Sequence, residues 1–384
     1  MRKLKKLFAT KSERLVECYD RLPRPIHHIT EPLIKWTKVF FLFVAEIRVR
    51  AFWLCGESEN GGKHSVLYIG KAEGLKPVSQ LIGYQNSLEV ERQILYCWQI
   101  RKFLRAPHIG IDCVVFRANT LLCRFVRPCN YMRLPPSIKS YVDFSGSCTG
   151  RESAIHQSIK RRQKKLIAKR YTTKIIPGEQ GLNRFYYDLY VPYAERRFGQ
   201  DAKIESFQKV RRLLRTGFLI VAEKEGQWFS GAVARIRNGV FVFELVGNLS
   251  GDVRYTYEGT MEFLYLSFFQ IARERNCIGI DFGISPPFLK NGLVFYKTKW
   301  GATLLENPKE VREICIKINR PERLRFLKNF PVIKDCGGLS AITYIGQDST
   351  ETKASVANIE KVYKNAGLKA LWLCTPNRLI QKKV

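Results

Sequence analysis

Residues 278–302 read IGIDFGISPPFLKNGLVFYKTKWGA. The first segment is a short apolar run that carries one acid, Asp281. Pro286-Pro287 then breaks the chain, because proline has no N–H to offer and restricts the residue before it. A second apolar segment, starting at Gly292, carries Lys297 and closes on Trp300-Gly301-Ala302. Two groups of opposite charge thus stand at the ends of neighbouring apolar segments. Asp281-Phe282-Gly283 is also the DFG triplet of protein kinases, but neither an HRD loop nor a GxGxxG segment accompanies it. The chain has no Walker A loop, GxSxG elbow or HExxH helix.

Upstream of this stretch the pattern alternates. FLIVAE (218–223) and WFSGAVARIR (228–237) read as strands. Asn238-Gly239 is a strong hairpin signal, and VFVFELVG (240–247) completes the hairpin. A polar loop then leads through Gly259-Thr260 into a strongly apolar helix ending near Arg275. Before the hairpin, Leu182, Phe185, Tyr186, Leu189 and Tyr193 recur at helical spacing and stop before Gly199. A further helix runs from about Ile204 to Arg215. The segment 155–170, IHQSIKRRQKKLIAKR, holds seven basic residues and no acid. Ile155, Ile159 and Leu166 give it a narrow apolar stripe, so it reads as a helix with one buried edge.

Towards the N-terminus, residues 1–50 read as helical and basic. Between 51 and 150, AFWLC, HSVLYIG, IDCVVFR and LLCRFV read as strands, and Leu88–Phe103 as helical. Pro135-Pro136 and the small polar stretch at 145–150 read as a linker. AFWLC (51–55) returns as ALWLC (370–374), and SVLYIG (65–70) as SAITYIG (340–346). The mixed order argues for an α/β or α+β sandwich and against a Rossmann sheet.

The chain has 384 residues, enough for two or three domains, and 45% of them are hydrophobic, as in a globular protein. It carries 65 Lys and Arg against 34 Asp and Glu, a net charge of +31. Such a field favours polyanions: nucleic acid, anionic lipid headgroups or phosphorylated substrates. The 11 cysteines form no CxxC pair and no zinc-finger spacing. They read as reduced thiols, and no metal is expected. MRKLKKLF lacks the apolar stretch of a signal peptide, and VFFLFVA (39–45) falls far short of the roughly 20 residues of a spanning helix. The expected location is cytoplasmic, with the basic N-terminus able to touch a membrane surface.

The elements from 151 to 304 resemble the Fem-type branch of the GNAT acyltransferase superfamily. That branch includes peptidyltransferases of peptidoglycan cross-bridges and acetyltransferases of polysaccharide loci. The resemblance rests on IARERN (271–276), IDFG (280–283) and GLVFYKTKWGA (292–302), preceded by a basic helix, two helices and a hairpin. Tyr296 stands where the family usually has Phe. The resemblance implies a GNAT-like mixed sheet flanked by helices, in two GNAT-like halves. The expected halves are 1–145, completed by 336–384, and 146–335.

In GNAT folds the acyl donor enters where two central strands splay, beside the helix after the fourth strand. There, main-chain N–H groups at the helix start hold the CoA pyrophosphate. The matching stretch is 254–260, where Arg254 offers a phosphate partner, Gly259 allows close backbone approach and Thr260 opens the helix. The usual R/Q-x-x-G-x-G/A loop is absent, so aminoacyl-tRNA stays open as donor beside acyl-CoA.

Amide formation needs a base for the incoming amine and a positive or N–H-lined place for the oxyanion. Glu244 is a single acid among apolar residues on the strand where many GNATs carry their base, and burial would raise its pKa. Asp281 is the second candidate base, or else caps its turn. Lys297 matches the family lysine and could face a phosphate or the oxyanion, or else end a strand in water. Lys160, Arg161, Arg162, Lys164 and Lys165, with Tyr296, are the candidate substrate contacts. They suit tRNA, a phosphate-bearing envelope precursor or an anionic membrane.

Two functions are therefore expected. One is an N-acyltransferase acting on an amine of a cell-envelope sugar or peptide precursor. The other is a non-catalytic, basic RNA- or membrane-binding protein on a decayed GNAT scaffold, since fold alone does not establish activity.

Overall fold

The computed structural model describes residues 24–57, 63–82, 86–126, 130–144, 164–199, 202–335, 338–345, 350–363, 366–375 and 379–383. Strands and helices are numbered along the chain. The fold is mixed α/β, with two large mixed sheets flanked by helices. By contacts the chain divides into two units, Met1–Pro136 with Pro308–Leu327, and Ser137–Asn307 with Lys328–Val384.

In the first unit, helix α1 (Arg24–Ala45) leads into β1 (Arg48–Glu57). β1 pairs antiparallel with both β2 (Lys63–Gly70) and β3 (Asn86–Tyr96). β2 also pairs in parallel with β4 (Cys113–Asn119). β13 (Arg312–Ile318) lies antiparallel between β4 and β5 (Met132–Leu134). Helices α2 (Leu75–Ile82), α3 (Cys97–Arg105) and α4 (Thr120–Val126) complete it. Its core joins Leu67, Ile69, Val114 and Phe116 of the sheet to Ile100, Leu104 and Leu122 of the helices.

Two local expectations change here. Most of the run Leu88–Phe103 is strand β3, because pairing along β1 outweighs the helix propensity of its Leu, Glu and Gln residues. LLCRFV is helix α4: the Asn119 side chain accepts the Leu122 N–H at 2.8 Å and so caps its start, while Leu122, Cys123 and Val126 bury one face.

In the second unit, β7 (Thr172–Pro177), β8 (Phe218–Lys224), β9 (Gln227–Arg237) and β10 (Val240–Asn248) run antiparallel in sequence. Asn238 and Gly239 have φ of 52° and 75°, the left-handed pair that a two-residue hairpin turn requires. β10 then pairs in parallel with β11 (Gly279–Ser285). Beyond β11 lie β6 (Ile138–Asp143) and β12 (Thr303–Glu306), giving the order β12-β6-β11-β10-β9-β8-β7. Between β7 and β8 the chain runs from Leu182 through a π-helical segment, Phe185–Tyr190, into α5 (Val191–Phe198), then α6 (Phe207–Arg215). Between β10 and β11 come α7 (Val253–Glu258) and α8 (Thr260–Glu274). α9 (Gly292–Lys299) follows β11.

A second group of strands in this unit, β14 (Val332–Asp335), β15 (Gly338–Tyr344), β16 (Leu368–Cys374) and β17 (Leu379–Lys383), packs with α10 (Thr350–Tyr363). By contacts, the second unit begins at Ser137, where β6 pairs with β11 and β12. Residues 308–327 group with the first unit and 336–384 with the second. The echoed segments are strands in different units. β1 and β2 pair antiparallel, whereas β15 and β16 pair in parallel.

Candidate active site

The parallel pairing of β10 with β11 is short. It joins Val240 to Gly279, Phe241 to Ile280 and Val242 to Asp281, and then stops. Each strand continues with its other neighbour: β10 stays on β9 as far as Asn248, and β11 resumes on β6 at Ile284. The two strands therefore part after Val242 and Asp281 and leave a wedge in the middle of the sheet.

Both walls of the wedge are irregular where it opens. β10 bulges between Phe243 and Leu245, leaving Glu244 as the extra residue. β11 is irregular between Asp281 and Ile284, and Gly283 has φ +74°. Bulges of this kind increase local twist and turn a side chain away from the ordinary alternation. At the throat, a Cβ on Gly283 would lie 3.8 Å from the Phe243 carbonyl oxygen.

An aromatic group accounts for the separation. Tyr265 of α8 lies beneath the opening, with ring centroids 5.6 Å from Phe243 on one wall and 5.1 Å from Phe282 on the other. Tyr296 and Trp300 crowd the same ring at 5.1 Å and 5.3 Å. Side chains of this bulk fill the space that straight, paired strands would close.

Glu244 is not alone among apolar neighbours. Its Oε1 accepts from Arg235 Nε at 3.0 Å and from the terminal guanidinium nitrogen at 2.5 Å. Both side chains are partly exposed. The expected isolation fails because the hairpin places Arg235 opposite Val242, and the bulge swings Glu244 towards it. The pairing is readable from the hairpin register; the bulge is not.

Asp281 is engaged on both oxygens. Oδ1 accepts the Gly283 N–H at 2.9 Å, and Oδ2 pairs with Lys139 Nζ at 2.9 Å. Lys139 belongs to β6, far away in sequence, and sequence reasoning missed it.

Lys297 lies on helix α9 and is 3% exposed, so it does not end a strand in water. Its Nζ donates to the Ile284 carbonyl at 3.0 Å and to Ser285 Oγ at 2.9 Å, at the end of β11. Burial pushes the amine down to about 8, while the Asp281 carboxylate works in the opposite direction. An ammonium has three N–H donors, so these two bonds leave one over.

Tyr296 stands beside Lys297 in the chain, but its hydroxyl points into the aromatic group. Tyr296 Oη and Trp300 Nε1 are buried without a hydrogen bond of good geometry among the described residues. Burial pushes the Tyr265 and Tyr296 phenols up.

The start of α8 is not an open glycine loop. α7 precedes it directly, and the chain turns at Gly259 with φ +94°. Thr260 is buried and donates its hydroxyl to the Tyr255 carbonyl at 2.9 Å. Arg254 is exposed and paired with Asp252, its Nε 2.8 Å from Oδ2. Of the basic segment, Lys160, Arg161 and Arg162 lie outside the described residues. Residues 164–168 are helical, with Lys164 and Lys165 exposed. Leu166 is buried against Gly259, where an added Cβ would meet its Cδ1 at 3.3 Å. The end of the basic segment is thus brought to the start of α8.

Among the described residues, Cys123, Glu313 and Cys315 of the first unit gather buried metal-capable atoms within 4.8 Å of one another. The Cys123 thiol donates to the Ala118 carbonyl at 3.8 Å, and its hydrogen bond with Cys315, together with burial, pushes it well up.

No family model and no curated protein sequence matches the chain. Among solved structures it is similar to FemX, with 10% identity over 74% of this chain and 91% of that one, at a TM-score of 0.36. It is likewise similar to the C-terminal domain of a putative lysylphosphatidylglycerol synthetase from Agrobacterium fabrum, with 14% identity over 72% and 83%, at 0.35. A third is a GCN5-related N-acetyltransferase from Sphaerobacter thermophilus, with 11% identity over 67% and 74%, at 0.30.

Proposed function

We propose that the chain is an N-acyltransferase of Fem/GNAT type. It moves an acyl or aminoacyl group from acyl-CoA or aminoacyl-tRNA to an amine of a cell-envelope sugar or peptide precursor. The observation that carries this reading is the opening of the β10–β11 pair after Val242 and Asp281, with Glu244 on one wall and buried Lys297 behind the other. It joins the sequence resemblance of 151–304, which implies a donor site at such a splay.

In this reaction the acceptor nitrogen attacks the donor carbonyl, and a C–N bond forms. The carbonyl electrons move onto oxygen, and the amine loses one proton. Collapse then expels the CoA thiol or the tRNA hydroxyl. Glu244 is the proposed acceptor of the amine proton, with Arg235 fixing its carboxylate and balancing its charge. The spare N–H of Lys297 is the proposed donor to the oxyanion or to a donor phosphate. Asp281, tied to Gly283 and Lys139, serves the turn and ranks behind Glu244 as base. Lys164 and Lys165, at the start of α8, would steer a phosphate-bearing partner.

The departures at α8 favour aminoacyl-tRNA over acyl-CoA. Thr260 spends its hydroxyl within the chain, and Arg254 must leave Asp252 before it can grip a phosphate. The same facts give weight to a basic RNA- or membrane-binding protein without activity. The test is thermal stabilisation, since a ligand that binds only the folded state raises its stability. It is run with acetyl-CoA and with charged tRNA, and followed by mass spectrometry of an envelope-precursor pool incubated with each donor. A donor-dependent acyl adduct that is lost in Lys297→Ala supports the enzyme. Binding of tRNA with no adduct from either donor supports the inactive reading.

A further inference from the structure

Helix α1 leaves much of its apolar surface uncovered. Leu33 is 66% exposed, Trp36 61%, Phe40 59% and Phe41 68%, with Ile34 and Val44 about half exposed. At 100° per residue, Leu33, Phe40 and Val44 fall in one row, flanked by Trp36 on one side and by Ile34 and Phe41 on the other. Lys35 and Lys38 fall on the opposite side and are exposed. Val39 is buried, and Phe43 packs on the core of the first unit, so the helix is held while its apolar face stays open.

The surroundings are mostly basic: α1 itself has one acid, Glu31, against Arg24, Lys35 and Lys38. α4 packs against both α1 and α3. α3 exposes Trp98, Arg101, Lys102 and Arg105, and α4 exposes Arg124 and Phe125. No acid occurs in 32–45, 97–105 or 120–126. Upstream in sequence, residues 1–11 hold five basic residues and no acid. An apolar stripe of Trp, Phe and Leu, backed by Lys and Arg, matches the chemistry of an anionic bilayer surface. There the apolar side chains enter the acyl boundary and the cations meet lipid phosphates. No helix of the described residues is long and apolar enough to cross a membrane, so the fit is to lying on one.

We infer that the α1 face of the first unit docks on anionic lipid, with α1 in the plane of the interface. This goes beyond the acyltransferase reading and does not depend on it. A second copy of the chain is the competing occupant. Charge favours the bilayer, because a second copy would bring the same cations to the contact.

The experiment is flotation of the full chain with vesicles of phosphatidylcholine alone and with one third phosphatidylglycerol. Wild type should float with the anionic vesicles, and less so at high salt. Trp36→Ser/Phe40→Ser/Phe41→Ser changes exposed side chains only. It should keep the circular dichroism and melting temperature of wild type, yet partition roughly 100-fold more weakly or worse. Lys35→Glu/Lys38→Glu/Arg101→Glu should lose the preference for anionic lipid. Quenching by brominated lipid should fall in Trp36→Phe, which reports this helix and no other part of the chain. Failure of wild type to float would overturn the inference, as would a triple apolar variant that floats equally well. A lipid-free dimer in sedimentation velocity that the triple variant dissolves would give the face to a second copy instead.

Discussion

The amine of Lys297 rests 2.9 Å from the Ser285 hydroxyl, and among the described residues no carboxylate lies within ion-pair distance of it. The nearest acid that influences it, Asp281, is paired with Lys139. A buried ammonium satisfied only by neutral oxygens is costly, and such sites are commonly kept for chemistry.

Lys297 should therefore show opposite effects on stability and activity. The gap between 10.5 and about 8 corresponds to roughly 3 kcal/mol. Below about 8 the amine is charged in both folded and unfolded chains, and this cost is fully present. Between about 8 and 10.5 the unfolded chain binds the extra proton, so stability should rise with pH across that window. Lys297→Met should flatten that rise, should not lower the melting temperature at pH 7, and should cut turnover by roughly 100-fold. If the protonated amine carries the reaction, wild-type turnover should fall above about pH 8. Denaturant melts and rate profiles over pH 6–10 check both.

Glu244 and Arg235 should behave as a unit. Glu244→Gln should slow transfer by roughly 100-fold or more and move the acid limb of the pH–rate profile. Arg235→Ala should also slow it, and the double variant should be little worse than Glu244→Gln. Independent, additive losses would mean that Arg235 does not act through the carboxylate.

Tyr265 bridges the walls of the wedge, so its loss should remove both packing and shape. Tyr265→Ala should cost roughly 3–5 kcal/mol of stability. Tyr265→Phe keeps the ring and should hold the fold within about 1 kcal/mol. Urea titrations distinguish the two, and a Tyr265→Ala protein as stable as wild type would show that the aromatic group does not hold the strands apart.

Gly247 of β10 lies against the π-helical segment. A Cβ there would come within 2.3 Å of the Leu189 carbonyl oxygen, which is backbone and cannot rotate aside. Gly247→Ala should destabilise the second unit by roughly 2–3 kcal/mol, read from the shift of its denaturation midpoint.

The basic segment should reveal its partner through salt. If Lys160, Arg161, Arg162, Lys164 and Lys165 grip a single-stranded polyanion, log Kd should change with log salt by about 0.7 per phosphate contact. Reversing three of them to Glu should weaken binding and flatten that slope, while turnover at saturating partner changes little. Parallel titrations with tRNA, a nucleotide-sugar precursor and anionic vesicles identify the partner. If the variant changes none of the three, the segment is a solvated face.

The hairpin turn, the buried helix α8 and the strand that carries Asp281 were legible in sequence, because each is a local pattern. Asn238-Gly239 has few conformations open to it, and apolar periodicity needs only its own segment. The net charge of +31 and the basic run at 155–170 were equally fixed by composition. Tertiary structure alone decided the partners. Lys139 reaches Asp281 only because β6 inserts between β11 and β12, and Lys297 is buried only because α9 folds back onto the end of β11. β3 is a strand because β1 offers it an edge, against its own helix propensity. Burial and pairing are sums over residues distant in the chain, and no window of sequence contains them. The charge of a side chain is set by its own chemistry, but whether that charge is paired, buried or free is set by what the fold brings beside it.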